Sequence, residues 1–269
     1  MNRIEKKLSA LRRSGTKAFV AFITAGDPSL ATTERLMSRL EGAGVDILEL
    51  GVPFSDPMAD GPVVQRSSER ALAAGTSLHK VVALVKKFRR RSELPILLMG
   101  YFNPIHAYGV EQYFRDAAAA GIDGTLIVDL PPDEGEPVRQ AAKANGVSLI
   151  YLLAPTSDPD RIHLVERKGS GFIYYVSLTG ITGAKLSQDL KKHRALRAIR
   201  KNKRLPVCVG FGIREPAQAK RVAALADGVV VGSALVQKLE TEGPRKGVAA
   251  VAHMAERFAR AIHGKSEKK

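Results

Sequence analysis

The chain has 269 residues, 45% hydrophobic and 26% charged, so it can bury a full core in one large domain or two small ones. Glycine and proline number 24 and 14, which excludes a low-complexity or collagen-like chain, and the single cysteine, Cys208, excludes an intramolecular disulfide and a thiolate-rich zinc site. No apolar run approaches the roughly 18 residues of a membrane helix, and charged residues interrupt the first 13, so we expect a cytoplasmic protein without a signal peptide.

Strand and helix patterns alternate along the chain after an amphipathic helix predicted over residues 4–11. The predicted strands cover residues 19–24, 47–51, 96–101, 124–128, 148–153, 172–176, 207–209 and 228–231. The predicted helices cover residues 31–42, 77–91, 110–120, 134–145, 160–168, 189–201, 215–224 and 245–263, with an extra helix near 62–74. Eight such units predict a (β/α)8 TIM barrel as a single domain over residues 1–269, its base covered by the first helix.

An open, doubly wound sheet is the competing architecture. Its nucleotide-binding forms need a glycine-rich turn after the first strand, but that turn reads Thr24-Ala-Gly-Asp-Pro-Ser, with one glycine. The fragment Gly210-Phe-Gly also lacks its third glycine, because Glu215 occupies that position. The sequence therefore favours the barrel.

The net charge of +15, with a pI near 10.0, raises the question of a polyanionic partner. Much of the charge lies in residues 86–91, 191–204 and 265–269. In the second block Leu190, Leu196 and Ile199 form an apolar stripe, which directs the basic residues to the outer faces of a helix. No nucleic-acid-binding motif accompanies these blocks, so a solvated helix surface is preferred to nucleic-acid binding, which salt-dependent retention on DNA would test.

Glu49 lies inside the otherwise apolar strand Ile47-Leu-Glu-Leu-Gly. Alternation directs its side chain opposite to Leu48 and Leu50, so if these two face the helices, Glu49 points into the barrel. No predicted strand holds a lysine or arginine that could pair with it. Burial should raise its pKa and suit it to general acid–base catalysis.

The segment after this strand, Gly51-Val-Pro-Phe-Ser-Asp-Pro-Met-Ala-Asp-Gly-Pro, carries two aspartates to the barrel mouth, where barrel enzymes hold their active sites. Either Asp56 or Asp60 can equally be a turn or helix-cap residue.

Glycines follow the last three strands, in Gly180-Ile-Thr-Gly-Ala, Gly210-Phe-Gly-Ile and Val231-Gly-Ser-Ala. Backbone N–H groups of these loops commonly bind phosphate in barrels. Of Tyr174 and Tyr175, alternation sends one inward and one outward.

The sequence lacks the residues that several catalytic mechanisms require. A Schiff-base aldolase needs a desolvated lysine, and no predicted strand contains one. The six histidines fall in predicted helices or loops without a metal-ligand motif, and Cys208 fits the core as a small apolar residue. The mechanism that the sequence still allows is acid–base catalysis by a carboxylate on a phosphorylated substrate.

Two long motifs, residues 19–28 and 49–65, closely resemble the tryptophan synthase α-subunit family. The resemblance continues almost to the end through shorter stretches that begin at Tyr101, Asp129, Tyr174, Gly210 and Val231. It implies retro-aldol cleavage of indole-3-glycerol phosphate to indole and glyceraldehyde 3-phosphate.

The resemblance also implies residue roles. Glu49 is the acid–base, Asp60 accepts a hydrogen bond from the indole N–H, and Tyr174 is the third catalytic-site residue. The residues implied to bind substrate are Phe22, Leu152 and Phe211 at the indole and Thr182, Gly183, Gly212, Gly232 and Ser233 near the phosphate. The chain itself should hold no metal or cofactor. A pyridoxal-phosphate β chain is the expected partner, in an α2β2 heterotetramer.

Two rival functions are a related barrel enzyme and, from another class, a protein that only activates a partner. Indole-3-glycerol phosphate synthase is another phosphate-binding barrel, but it would need a catalytic lysine on a strand. A catalytically dead barrel that only activates a β subunit is disfavoured by the presence of both Glu49 and Asp60. Loop-closing contacts are left open, because the loop after the sixth strand reads Ser177-Leu-Thr-Gly where some members carry an arginine.

Overall fold

Eight parallel strands form a closed barrel in the computed structural model, which describes residues 1–176, 194–202, 204–210 and 212–264. Each strand pairs with its neighbours in chain order, and β1 closes the barrel against β8. The strands are β1 (Ala18–Thr24), β2 (Ile47–Gly51), β3 (Ile96–Gly100), β4 (Gly124–Ile127), β5 (Ser148–Leu153), β6 (Ile173–Val176), β7 (Val207–Gly210) and β8 (Gly228–Val231). The predicted TIM barrel is confirmed.

Helices follow or precede each strand. In chain order they are α1 (Arg3–Arg13), α2 (Leu30–Gly42), α3 (Pro62–Ala73), α4 (Leu78–Phe88), α5 (Phe102–Tyr108), α6 (Val110–Ala120), α7 (Glu136–Ala144), α8 (Pro159–Lys168), α9 (Arg194–Asn202), α10 (Pro216–Ala223) and α11 (Ser233–His263). The extra helix predicted after the second strand is α3.

Alternation along the strands separates two apolar cores. Leu48 and Leu50 of β2 pack in the layer between the strands and the surrounding helices. Ile47, on the same strand, faces the barrel interior together with Val20 and Val230. The direction predicted for Leu48 and Leu50 is confirmed, and it leaves Glu49 on the interior side.

Helix α1 covers the base of the barrel, as predicted. Its Ile4 and Leu8 belong to the interior core, and a Cβ added to Gly124 of β4 would lie only 2.9 Å from Ile4 Cδ1. Asn2 caps the helix by accepting a hydrogen bond from the Glu5 N–H, and its own amide donates to the Asp123 carbonyl at 2.8 Å. The base is therefore closed, and the opposite end is the open one.

Three helical regions differ from the prediction or are described only in part. Helix α5 was not predicted, because its seven residues are too few to show a helical period. The span Ser233–His263 consists of two helices that meet at a kink, because Gly243, with φ of 71° and ψ of 174°, is not helical. The second helix agrees with the one predicted over residues 245–263, whereas the helix from Ser233 to the kink was not predicted. Of the helix predicted over residues 189–201, the described part begins at Arg194, and its Leu196 and Ile199 are buried as the stripe predicts.

Candidate active site

Glu49 is fully buried in the barrel interior. Neither carboxylate oxygen has a hydrogen-bond partner within the part of the chain that the structure describes. Burial, assisted by the nearby charge of Asp60, raises the Glu49 pKa to about 8. At neutral pH this carboxyl is therefore mostly protonated and can donate a proton.

Asp60 lies in the loop between β2 and α3, at the open end of the barrel. Tyr101, directly after β3, donates a hydrogen bond from its hydroxyl to Asp60 Oδ2 at 3.2 Å and accepts one from the Ala59 N–H at 3.0 Å. Gln65 of α3 donates to the Asp60 carbonyl at 2.8 Å. Burial raises the Asp60 pKa, and the bond from Tyr101 opposes that rise. Three contacts thus hold the carboxylate and its backbone.

The structure separates the two aspartates that the sequence left equivalent. Asp56 is exposed and accepts a hydrogen bond from its neighbour Ser55 at 2.5 Å, which is a local turn contact. Asp60 instead borders the cavity described next and affects the pKa of Glu49. Of the pair, Asp60 is the one in a position to meet a substrate.

A cavity of about 260 Å³ opens at the carboxyl ends of the strands, just below the roughly 300–1,000 Å³ usual for ligand pockets. It brings together six of the predicted site residues, Phe22, Asp60, Tyr174, Gly212, Gly232 and Ser233. The rest of its lining is Gly61, Pro62, Val63, Val64, Met99, Ile213, Arg214 and Val230. The lining is mostly apolar and contains one carboxylate, that of Asp60.

Glu49 does not line this cavity, because its side chain is completely covered. Phe22 pairs with it in the β1–β2 register, and a Cβ at Gly51 would lie 2.6 Å from the Phe22 ring. A substrate in the cavity can meet the Glu49 carboxyl only after a side-chain rearrangement.

The structure distinguishes Tyr174 from Tyr175. Tyr174 packs with the interior core and lines the cavity, whereas Tyr175 packs in the outer layer against the helices. A Cβ at Gly210 of β7 would lie 2.6 Å from the Tyr174 hydroxyl oxygen, so glycine makes room for that group. Burial and the charge of Glu49 raise the Tyr174 pKa, which keeps the phenol protonated.

The cavity wall on the β7 and β8 side is formed by the late glycines. Gly212 follows β7 with φ of 75°, and Gly232 precedes the first turn of α11 without a side-chain cap. Because β7 and β8 are neighbours, these two glycines and Ser233 face the same cavity. Backbone N–H groups at a helix N-terminus of this kind are suited to an anion.

Some predicted site residues do not join the cavity. Leu152 pairs with Tyr174 in the β5–β6 register and borders the interior core, but it does not line the cavity. Phe211, Thr182 and Gly183, like the loop from Ser177, lie outside the described residues.

Sequence reasoning assigned no role to Tyr101, Met99, Val230 or Arg214, all of which belong to this site. The position of Tyr101 could have indicated a place beside Asp60, because Tyr101 follows the third strand and the neighbouring second strand leads into the loop that holds Asp60. Among the described residues there is no group of three or more histidine, cysteine or acidic side chains that could hold a metal. Nor does any helix in that part of the chain combine the length and apolarity needed to span a membrane.

Fold and site together define a (β/α)8 barrel with a buried glutamate of raised pKa and a cavity that has one carboxylate and a glycine-lined wall. The family model for the tryptophan synthase alpha chain matches residues 8–263. The tryptophan synthase alpha chain of Geotalea daltonii is 57% identical over 240 residues, covering 89% of this chain and 91% of that protein. That of Alkalilimnicola ehrlichii is 49% identical and covers 99% and 98%.

Solved structures are similar over almost the whole chain. The tryptophan synthase alpha subunit of Legionella pneumophila has a TM-score of 0.92 at 40% identity, covering 98% of this chain and 99% of that one. Tryptophan synthase of Mycobacterium tuberculosis, in a ligand-free form, has a TM-score of 0.88 at 32% identity, covering 98% and 100%. This chain belongs to the tryptophan synthase alpha chain family.

Family membership confirms the resemblance seen in the sequence motifs and supports an enzyme role in tryptophan synthesis. The alternatives of a synthase-like barrel and of a dead activator are not favoured.

Proposed function

We propose that this chain is a carbon–carbon lyase that cleaves indole-3-glycerol phosphate to indole and glyceraldehyde 3-phosphate. The observation that carries the proposal is the unpaired, fully buried Glu49 carboxyl beside a cavity that Asp60 lines. A carboxyl with a pKa of about 8 is the kind of group that can both donate and accept a proton near neutral pH.

In the first step, after the side-chain rearrangement that exposes the Glu49 carboxyl to the cavity, Glu49 gives its proton to indole C3. The ring becomes a cation centred on the indole nitrogen, and Asp60, accepting a hydrogen bond from the N–H, stabilises the charge as it develops. Tyr101 holds that carboxylate in place.

In the second step the bond between indole C3 and the glycerol side chain breaks. Its electrons return to the ring and restore the aromatic indole, so no imine or metal is needed as an electron acceptor. The adjacent hydroxyl becomes the aldehyde and loses its proton to Glu49, which regenerates the acid. Tyr174, whose phenol stays protonated, is the third catalytic-site residue and lines the cavity.

The remaining cavity residues would bind the substrate. Phe22 contributes to the apolar wall for the indole ring, and Leu152 and Phe211 are assigned to the same ring from the sequence resemblance. Gly212, Gly232 and Ser233 would bind the phosphate through backbone N–H groups, together with Thr182 and Gly183.

The test is indole release from indole-3-glycerol phosphate by purified protein. Glu49→Gln keeps the side-chain shape and removes proton transfer, so turnover should fall at least ~10²-fold. Glu69→Gln, at an exposed position of α3, is the control for the charge change. An inactive wild-type chain in complex with its partner, or near-native turnover of Glu49→Gln, would contradict the proposal.

We also propose that the partner is a pyridoxal-phosphate β chain, assembled as an α2β2 heterotetramer. Met58, in the loop that ends at Asp60, is 86% exposed, so an apolar side chain is available for docking beside the cavity mouth. A partner there would cover the cavity mouth and exclude water, so the isolated chain should be slow and become faster on association.

Titration of a cognate β chain with the cleavage assay, alongside sedimentation, tests this assembly. Flat activity while the complex forms would refute the coupling, and a different sedimenting mass would refute the stoichiometry. The alpha chain should bind no cofactor, so pyridoxal phosphate absorbance should not remain with it after dialysis.

A further inference from the structure

Arg214 is the only cationic residue among those that line the described cavity. It follows Gly212 and Ile213 after β7, on the same side of the barrel as Gly232 and Ser233 after β8. The titratable side chains that share the cavity are Asp60 and Tyr174. Asp60 follows β2, which β1 and β8 separate from β7 around the barrel. The positive charge therefore lies at the glycine-lined wall.

The backbone at Arg214 is fixed while its guanidinium is uncommitted. The Arg214 N–H donates to Gln218 Oε1 at 2.8 Å, and the Glu215 N–H donates to the same oxygen at 3.2 Å. Within the described ranges the guanidinium forms neither a hydrogen bond nor an ion pair, in contrast to Arg70, which binds Asp27 and Glu240. Arg214 is exposed, so its side chain can turn toward a bound anion.

Arg214 does not serve to neutralise a catalytic carboxylate, because the charges and hydrogen bonds that set the pKa of Asp60 and Glu49 do not include it. A phosphate monoester carries a charge of about −1.5 to −2 at pH 7, which neutral backbone N–H groups balance only in part. A guanidinium supplies both charge and two parallel donors for phosphate oxygens.

We propose that Arg214 binds the substrate phosphate and gives this site its selectivity for the doubly charged ester. The proposal deepens the proposed function and rests on it for the identity of the substrate. Arg214 would add a charged donor to a cradle otherwise made of backbone groups. Since the phosphate is remote from the reacting carbon atoms, the interaction should be equally strong in the ground and transition states.

The experiment measures binding of glycerol 3-phosphate by calorimetry, with glycerol as the uncharged probe. Arg214→Gln should weaken glycerol 3-phosphate binding about tenfold at low ionic strength, and added salt should reduce the difference. Arg214→Lys, which keeps the charge but not the planar fork, should fall between the two. Arg221→Gln is the matched control, because Arg221 is exposed on α10, makes the same charge change and does not line the cavity.

Cleavage kinetics supply a second readout. In Arg214→Gln the loss should appear in KM for indole-3-glycerol phosphate rather than in kcat, as expected for uniform binding. Equal affinities in Arg214→Gln and Arg221→Gln, or wild-type protein that binds glycerol 3-phosphate no better than glycerol, would overturn the proposal. An effect confined to kcat would do the same. If Arg214 controls phosphate binding and the wild-type chain cleaves no indole-3-glycerol phosphate, only the proposed function fails.

Discussion

Replacing Glu49 with glutamine should stabilise the folded chain even as it stops turnover. In the wild type the buried carboxyl keeps its proton up to a pKa of about 8, mainly because of burial and to a smaller extent because of the Asp60 charge, against an ordinary value of 4.5. Between these two values the folded state binds a proton that the unfolded state has released. The free energy of unfolding therefore decreases as pH rises through that interval, and the loss is complete above the folded pKa.

The size of the effect follows from the two pKa values. Each pH step between them removes about 1.4 kcal/mol of stability. The wild type should thus have lost about 3 kcal/mol at pH 7 and about 5 kcal/mol at pH 9, relative to a chain with a neutral residue at this position. At pH 5 the difference should be under about 1 kcal/mol, because this pH lies only slightly above the unfolded pKa of 4.5. Glutamine resembles the protonated glutamate and has no such pH dependence.

Urea unfolding of wild type and Glu49→Gln at pH 5, 7 and 9 measures this difference directly. Glu69→Gln, an exposed position on α3, controls for the loss of one negative charge from a chain of net charge +15. The unfolding free energies should diverge with pH for Glu49→Gln and run parallel for Glu69→Gln. A constant offset between Glu49→Gln and wild type across this range would show that burial does not hold the Glu49 proton, and the reasoning would fail.

Four further variants test the rest of the site. Asp60→Asn should lower kcat about 10²-fold while substrate still binds, because the carboxylate acts mainly on charge that develops in the transition state; loss of binding alone would contradict this. Tyr101→Phe removes the hydrogen bond that opposes the rise in the Asp60 pKa, so the acid limb of the kcat profile should move to higher pH; an unmoved limb would disprove that link. Gly232→Val and Gly212→Val should both raise KM. A Cβ at Gly232 would lie 3.2 Å from Phe22, and Gly212 has a φ of 75°, which disfavours valine. Unchanged KM in both variants, with native circular dichroism, would refute the phosphate cradle.

The barrel and the direction of Glu49 could be predicted from local pattern. Consecutive apolar residues mark strands buried on both faces, and eight of them alternating with helices leave few architectures open. Within β2 the two-residue period puts Leu48 and Leu50 on one face and Glu49 on the other, which the packing of both leucines against the helices confirms. These properties depend on neighbours in the chain, so the sequence carries them by itself.

Contacts between loops were decided only by the tertiary structure. Asp56 and Asp60 are equivalent in composition, and they differ because Tyr101, 41 positions beyond Asp60, reaches only the latter. The inward choice of Tyr174 over Tyr175 depends on how β6 is set against β7, where Gly210 leaves room for the hydroxyl. Arg214 meets the same cavity as Gly232 because the consecutive strands β7 and β8 pair side by side. Strand periodicity determines which face a side chain takes, whereas closure of the barrel determines which loops meet, and that information is spread over the whole chain.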